Sequence, residues 1–120
     1  MAAARPAEED DLSCVDPASV EAIVFPEQAW VLNSPEYRAE QAAKIIGWGH
    51  AANRRGDTAA AAAFFREACG LEPQRSSTII SYLNMRLKMG DVPLAIVAYL
   101  RVLESRTLVV GMSGDQPPMN

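Results

Sequence analysis

The dipeptide Gly-Asp occurs at residues 56–57 and again at residues 90–91, and these two copies lie 34 residues apart. Glycine readily adopts the left-handed backbone that ends a helix, and aspartate is a favoured N-cap of the helix that follows. Each copy stands between two stretches of helix-forming composition. The two copies therefore predict two successive helical hairpins, each closed by the same tight turn.

The first predicted hairpin begins at Ser34, a favoured N-cap, which is followed by Pro35 at the first helical position. Its first helix extends to Arg55 and ends at the glycine of the first Gly-Asp pair. Its second helix covers residues 58–69. Two helix-breaking residues are predicted to close that helix: Gly70 and Pro73.

The second predicted hairpin begins at Ser76 or Ser77, and its first helix extends to Met89. Asp91 is predicted to cap the last helix, which extends to about Ser105. No alternating strand pattern is present, and the only β-like run, TLVV, is too short to build a sheet. The predicted fold class is therefore all-α, built from antiparallel helix-turn-helix repeats.

Composition divides the chain into four segments. Residues 1–16 are rich in alanine, proline and acidic side chains, which predicts a disordered leader. Residues 17–33 are predicted to form an apolar N-terminal extension or cap, with a short helix over residues 19–25. Residues 34–106 form the predicted helical domain, and residues 107–120 are predicted to be a flexible tail.

The 34-residue offset also pairs similar residues outside the turns. The matched pairs are Ile45 with Ile79, Trp48 with Tyr82, Ala61 with Ala95, and Phe65 with Tyr99. In this respect the chain resembles the tetratricopeptide repeat family, whose unit has this length and the pattern W-x2-L-G-x2-Y, then A-x3-F, then P. The pattern's positions are filled in the first unit by Ile45, Trp48, Gly49, Ala52, Ala61, Phe65 and Pro73. In the second unit they are filled by Ile79, Tyr82, Leu83, Arg86, Ala95, Tyr99 and Thr107.

The resemblance covers Ala42 to Thr107 and has a simple physical meaning. Two helices pack closely only where one of them presents a small residue to a large side chain of the other. Gly49 is predicted to be this notch on the first helix, and Ala61 is the small residue on the second helix. Phe65, one turn after Ala61, is predicted to fill the space between units. The alternative is an unrelated four-helix bundle in which the spacing is accidental.

Charge and composition exclude several classes of function. The net charge of −4 and the scattered basic residues argue against a nucleic-acid partner. No apolar run approaches the roughly 18 residues that cross a bilayer, so membrane insertion is not expected. The first residues resemble neither a secretory signal nor a transit peptide. Two cysteines in unlike contexts predict no disulfide and suit the cytoplasm or the interior of an organelle.

Catalysis, a metal site and a bound cofactor are not expected. The only histidine, His50, has no companion ligand three or four residues away. Cys69 lies in an apolar helical stretch and is predicted to be a small core residue. No glycine-rich phosphate loop is present. The alternative function is a small helical enzyme or ligand-binding protein that uses His50.

The tetratricopeptide resemblance implies a groove, lined by the first helix of each unit, that receives a peptide. Ile45, Trp48, Gly49 and Ala52 are predicted to pack within the fold, so other faces would line that groove. The residues predicted to bind the partner there are Ile46, His50, Asn53, Ile80, Asn84 and Leu87. The two asparagines could hold a peptide backbone, and the alternative is that they are ordinary solvated residues.

Helical repeats normally number at least three and end in polar caps. This chain has two, and its last predicted helix ends in the apolar run IVAYLRVL, whose Tyr99 and Leu103 are predicted to bind a partner. Two covers remain open for that surface: a second protein, a further copy included, or the N-terminal residues Ile23, Val24, Phe25, Trp30 and Leu32. The sequence predicts a non-catalytic protein–protein interaction module or a small scaffold subunit of a larger complex.

Overall fold

The computed structural model describes residues 12–28 and 33–114, with side chains to residue 105. The helices in this part of the chain are α1 (Pro17–Val24), α2 (Pro35–Arg54), α3 (Thr58–Leu71), α4 (Ser76–Lys88) and α5 (Val92–Gly114). Over the described residues the fold is all-α and contains no strand. The predicted fold class is confirmed at this level.

The two Gly-Asp turns have the same backbone conformation. Gly56 and Gly90 adopt φ angles of +84° and +94°. Each glycine N–H donates to the carbonyl three residues earlier, at 3.0 Å in both turns. Each following aspartate N–H donates to the carbonyl five residues earlier, at 2.9 and 3.0 Å. This pair of hydrogen bonds is the Schellman ending of a helix, and it allows the chain to reverse within a few residues.

Two of the predicted N-caps are confirmed, and one is not. The Ser34 hydroxyl accepts a hydrogen bond from the Tyr37 N–H at 3.1 Å, and the Asp57 carboxylate accepts one from the Ala60 N–H at 3.1 Å. The N-cap of α4 is Arg75, whose side chain makes no capping hydrogen bond.

Two predicted helix ends are wrong. Gly70 was expected to close α3, but it lies inside the helix, which continues to Leu71 because that side chain is buried in the core. The last helix was expected to end near Ser105 and to give way to a tail, but α5 continues to Gly114. After Pro93 in its first turn, no proline or glycine occurs in this helix before residue 111, so its backbone hydrogen bonding can propagate.

The seam between α2 and α3 forms where Phe65 fits against Gly49. A Cβ atom on Gly49 would lie 2.7 Å from Cε1 of Phe65, so no larger residue fits there without displacing the ring. Phe65 and Ala61 are buried, as predicted. Trp48, which was expected to pack in this seam, is 55% exposed and contacts Phe64 edge to face, with ring centroids 5.9 Å apart. Its position on α2 lies outside the seam that faces α3.

The N-terminal helix α1 folds back onto α5. Val20, Ile23 and Val24 are buried in the main core cluster with residues of α3, α4 and α5. Nε of Arg101 donates to the Glu21 carboxylate at 2.6 Å and ties the two helices together. The N-terminal segment therefore folds back onto α5, but it does not cover Leu103, which stays exposed, and Trp30 and Leu32 lie outside the described residues.

A glycine substitution tests the seam between α2 and α3. Gly49→Ala is expected to lower the free energy of unfolding by about 1 kcal/mol or more, because overpacking outweighs the gain in helix propensity. Gly47→Ala is the control in the same helix, since its Cβ would meet nothing within 4 Å. That variant is expected to be more stable by about 0.5–1 kcal/mol. Urea unfolding of both variants measures the difference, and equal shifts would contradict the notch.

The alanine run gives a second test. Ala61→Leu is expected to lower the free energy of unfolding by about 1–3 kcal/mol, because Ala61 has no exposed surface. Ala63→Leu is the matched control, because Ala63 is exposed, and it is expected to change stability by about 0.5 kcal/mol or less. Ala60 cannot serve as an outward control, since it is half-buried and packs against the core. Equal tolerance at 61 and 63 would show that the run is not a packing surface.

Candidate interaction surfaces

The predicted groove residues of α2 border a shallow hollow between α2, α3 and α4. Its volume is about 190 Å³, and it is lined by Ile46, His50, Phe65, Arg75, Ser77, Thr78 and Ser81. His50 is exposed and stands edge to face with Phe65, their ring centroids 5.2 Å apart. The structure therefore brings Ile46 and His50 together with hydroxyl groups from α4. The result is a small polar depression with an apolar floor.

The two asparagines predicted to hold a peptide have partners within the chain. Nζ of Lys88 donates to Oδ1 of Asn53 at 2.8 Å, which links α4 to α2. The Tyr99 hydroxyl donates to Oδ1 of Asn84, which links α5 to α4. Burial raises the pKa of Tyr99, which favours the protonated form that can donate this bond. Both carboxamide oxygens therefore connect neighbouring helices, a role that the sequence analysis missed.

A cluster of charged and aromatic side chains also went unpredicted. The guanidinium groups of Arg66 and Arg86 lie 5.5 and 5.8 Å from the ring centroid of Tyr82. Nε of Arg86 donates to the Asp91 carboxylate at 2.9 Å, and its Nη1 donates to the Tyr82 hydroxyl at 2.8 Å. Nη1 of Arg66 donates to the Ala22 carbonyl of α1 at 3.3 Å. These contacts connect α1, α3 and α4 to the second Gly-Asp turn.

An apolar stripe stays exposed along α5. We call it the α5 stripe, and its members, between 37% and 62% exposed, are Val92, Ile96, Leu100 and Leu103. Their spacing of four, four and three residues places them on one side of the helix. The buried residues of α5, among them Ala95 and Val102, lie on another side. Leu103 was predicted as a partner-binding residue, and the helical spacing places the other three on the same side of the helix.

Two more of the predicted partner-binding residues, Leu87 and Ile80 of α4, are level with members of this stripe. The hydrogen bond between Asn84 and Tyr99 sets the register of the antiparallel helices α4 and α5. At 1.5 Å per residue in both helices, Leu87 is then level with Ile96, and Ile80 is level with Leu103. Leu87 is exposed and Ile80 is half-buried. Leu87 and Ile80 are therefore at the same height as members of the α5 stripe, whereas Ile46 and His50 line the separate hollow.

Within residues 12–28 and 33–105, no three His, Cys, Asp or Glu side chains come together in a way that could hold a metal ion. No helix in the described ranges has both the length and the apolar character needed to cross a bilayer.

Comparisons with protein-family models, with curated proteins and with solved structures find no significant match to this chain. The tetratricopeptide resemblance therefore stays a prediction that rests on the 34-residue spacing and the residues that match the pattern.

The two cysteines are expected to differ sharply in reactivity. Cys69 is buried, and burial raises the pKa of its thiol to about 11, against an opposing effect of Arg66. Cys14 is exposed. Because the thiolate is the reactive form, one thiol per folded chain is expected to react rapidly with Ellman's reagent at pH 8, and a second only after denaturation. Rapid reaction of both thiols in the folded protein would contradict the burial of Cys69.

Proposed function

We propose that the protein is a tetratricopeptide-like module of two units, and that it acts as a non-catalytic protein–protein interaction or scaffold element. The observation that supports this most directly is the exposed α5 stripe. Contiguous apolar surface on a small domain commonly marks a place where another molecule docks. Burying the exposed part of each large apolar side chain contributes on the order of 1 kcal/mol, so four of them make a substantial contribution to binding.

The packing of α1 supports the same proposal. Helical repeats bury each unit on the next, and a chain with two units leaves an end uncovered. Here α1 covers the side of α5 that carries Arg101, where the Arg101 guanidinium also lies 4.9 Å from the Phe25 ring centroid. The α5 stripe stays exposed, and its Leu100 borders α1 across a groove that Val20 and Glu21 also line. A protein partner on that stripe would complete the core that two units leave open.

The hollow beside His50 is the second surface of the proposed module. Its lining of Ile46, Phe65 and hydroxyl side chains suits a short peptide segment better than a large apolar helix. A reducing compartment such as the cytoplasm suits this proposal, because neither cysteine is in a disulfide.

Site-specific photocrosslinking tests the proposed function. A benzophenone side chain is placed at Leu100 or Leu103, and the full-length protein is irradiated in an extract of its native source. Discrete protein adducts are expected from both positions. Glu67 is the control, because it is exposed on α3 away from the stripe. With the probe at Leu100, the change Leu103→Glu should abolish the adducts. With the probe at Leu103, the change Leu100→Glu should abolish them. Equal labelling at Glu67 and the stripe, or none at the stripe, would contradict the proposal.

A further inference from the structure

The 34-residue offset shows which surface of the first unit corresponds to the α5 stripe. Ile96 and Leu103 correspond to Ala62 and Cys69 of α3. Both α3 residues are buried in the main core cluster, which also contains residues of α4. Ile96 and Leu103 are exposed. The surface that α3 buries among residues of α1, α4 and α5 is therefore the surface that α5 leaves open. On the same face of α3, Arg66 contacts Tyr82 of α4, the helix that begins the next unit.

The opposite end of the chain shows the complementary difference. Tyr82 of α4 corresponds to Trp48 of α2. Tyr82 is buried and packs against the guanidinium of Arg66, which belongs to the preceding unit. No repeat unit precedes Trp48 in the described part of the chain, and Trp48 is 55% exposed. Arg66 itself corresponds to Leu100, which is 56% exposed. Arg66 and Tyr82 thus meet inside the chain, whereas their counterparts one repeat away, Leu100 and Trp48, are exposed at opposite ends of the repeat pair.

We infer that a second copy of this chain docks head to tail, with α2 of one copy on the α5 stripe of another. This inference rests on the proposed function and names the partner of the stripe. Trp48 of one copy packs on Leu100 of the other, as Tyr82 packs on Arg66 within the chain. The contact buries an exposed tryptophan and the apolar stripe together.

Charge complementarity supports this pairing. The contact between Arg66 and Tyr82 sets the register of the antiparallel helices α3 and α4, and it places Thr78 level with residue 70. One repeat before Thr78 is Lys44, and one repeat after residue 70 is Glu104. The same register between two copies therefore places Lys44 of one copy level with Glu104 of the other. Both side chains are exposed and carry opposite charges. A tail-to-tail pair of two α5 stripes would instead leave Trp48 exposed in both copies.

A head-to-tail contact is heterologous, so each docked copy still presents one free head and one free tail. Association is therefore expected to continue beyond the dimer as concentration rises. A tail-to-tail contact would stop at two copies. The mass of the assembly therefore distinguishes head-to-tail from tail-to-tail docking.

The experiment uses two variants of the full chain and light scattering coupled to size exclusion. Trp48→Glu removes the head contact, and Leu100→Glu removes the tail contact; both residues are more than half exposed, so the helical fold is expected to survive, as circular dichroism checks. The wild-type mass is expected to rise with concentration above that of one chain. Each variant alone is expected to be a monomer. An equimolar mixture is expected to form a dimer of twice the monomer mass and nothing larger, because only one intact head and one intact tail remain.

Three outcomes would overturn the inference. They are a wild-type chain that stays monomeric at every concentration, a Trp48→Glu variant that still forms dimers alone, and a mixture that does not associate. A charge exchange provides a second measurement that does not alter apolar packing: Lys44→Glu and Glu104→Lys should each weaken association, and the double variant should restore it. If the wild type is monomeric but Leu100 still crosslinks to another protein, the proposed function stands and self-association fails.

Discussion

Phe65 lies against Gly49, and the rest of the fold depends on this contact. The glycine removes the Cβ atom that would lie 2.7 Å from the ring, so α2 and α3 can approach closely at this point. The buried ring then belongs to the cluster that includes Ile79 and Leu83 of α4. A single side chain thus connects the first hairpin internally and joins it to the second. Dense packing of this kind tolerates few changes in side-chain volume.

Contacts from α1 and between the two hairpins cover much of the core, but two surfaces stay exposed. α1 closes the side of α5 that Arg101 marks, through an ion pair and buried aliphatic contacts. The Arg86–Asp91 pair braces the second Gly-Asp turn, and a hydrogen bond from Lys88 to Asn53 joins the two hairpins. The surfaces left over are Trp48 at one end and the α5 stripe at the other. The proposed binding of another protein rests on where these surfaces lie.

Local signals predicted the helices well, because their physical causes are local. The left-handed glycines, the caps at Ser34 and Asp57, and the small residues at Gly49 and Ala61 all depend on residues close in sequence. Predictions failed where distant contacts outweighed local preference. α3 continues past its glycine because Leu71 finds a buried position. Asn53 and Asn84 each accept a hydrogen bond from another helix, which a linear pattern does not reveal, and their contact with a peptide stays a prediction.

The sequence by itself determined the helical fold class, the two turns and their 34-residue spacing, because backbone conformation at glycine and capping at aspartate are decided within a few residues. It also identified Leu103 and Tyr99 as members of an apolar terminal helix. Only the tertiary structure decided which side of that helix α1 covers and which side stays exposed. That choice depends on the direction in which the N-terminal helix returns, and this direction is set by long-range packing and by the pair Arg101–Glu21.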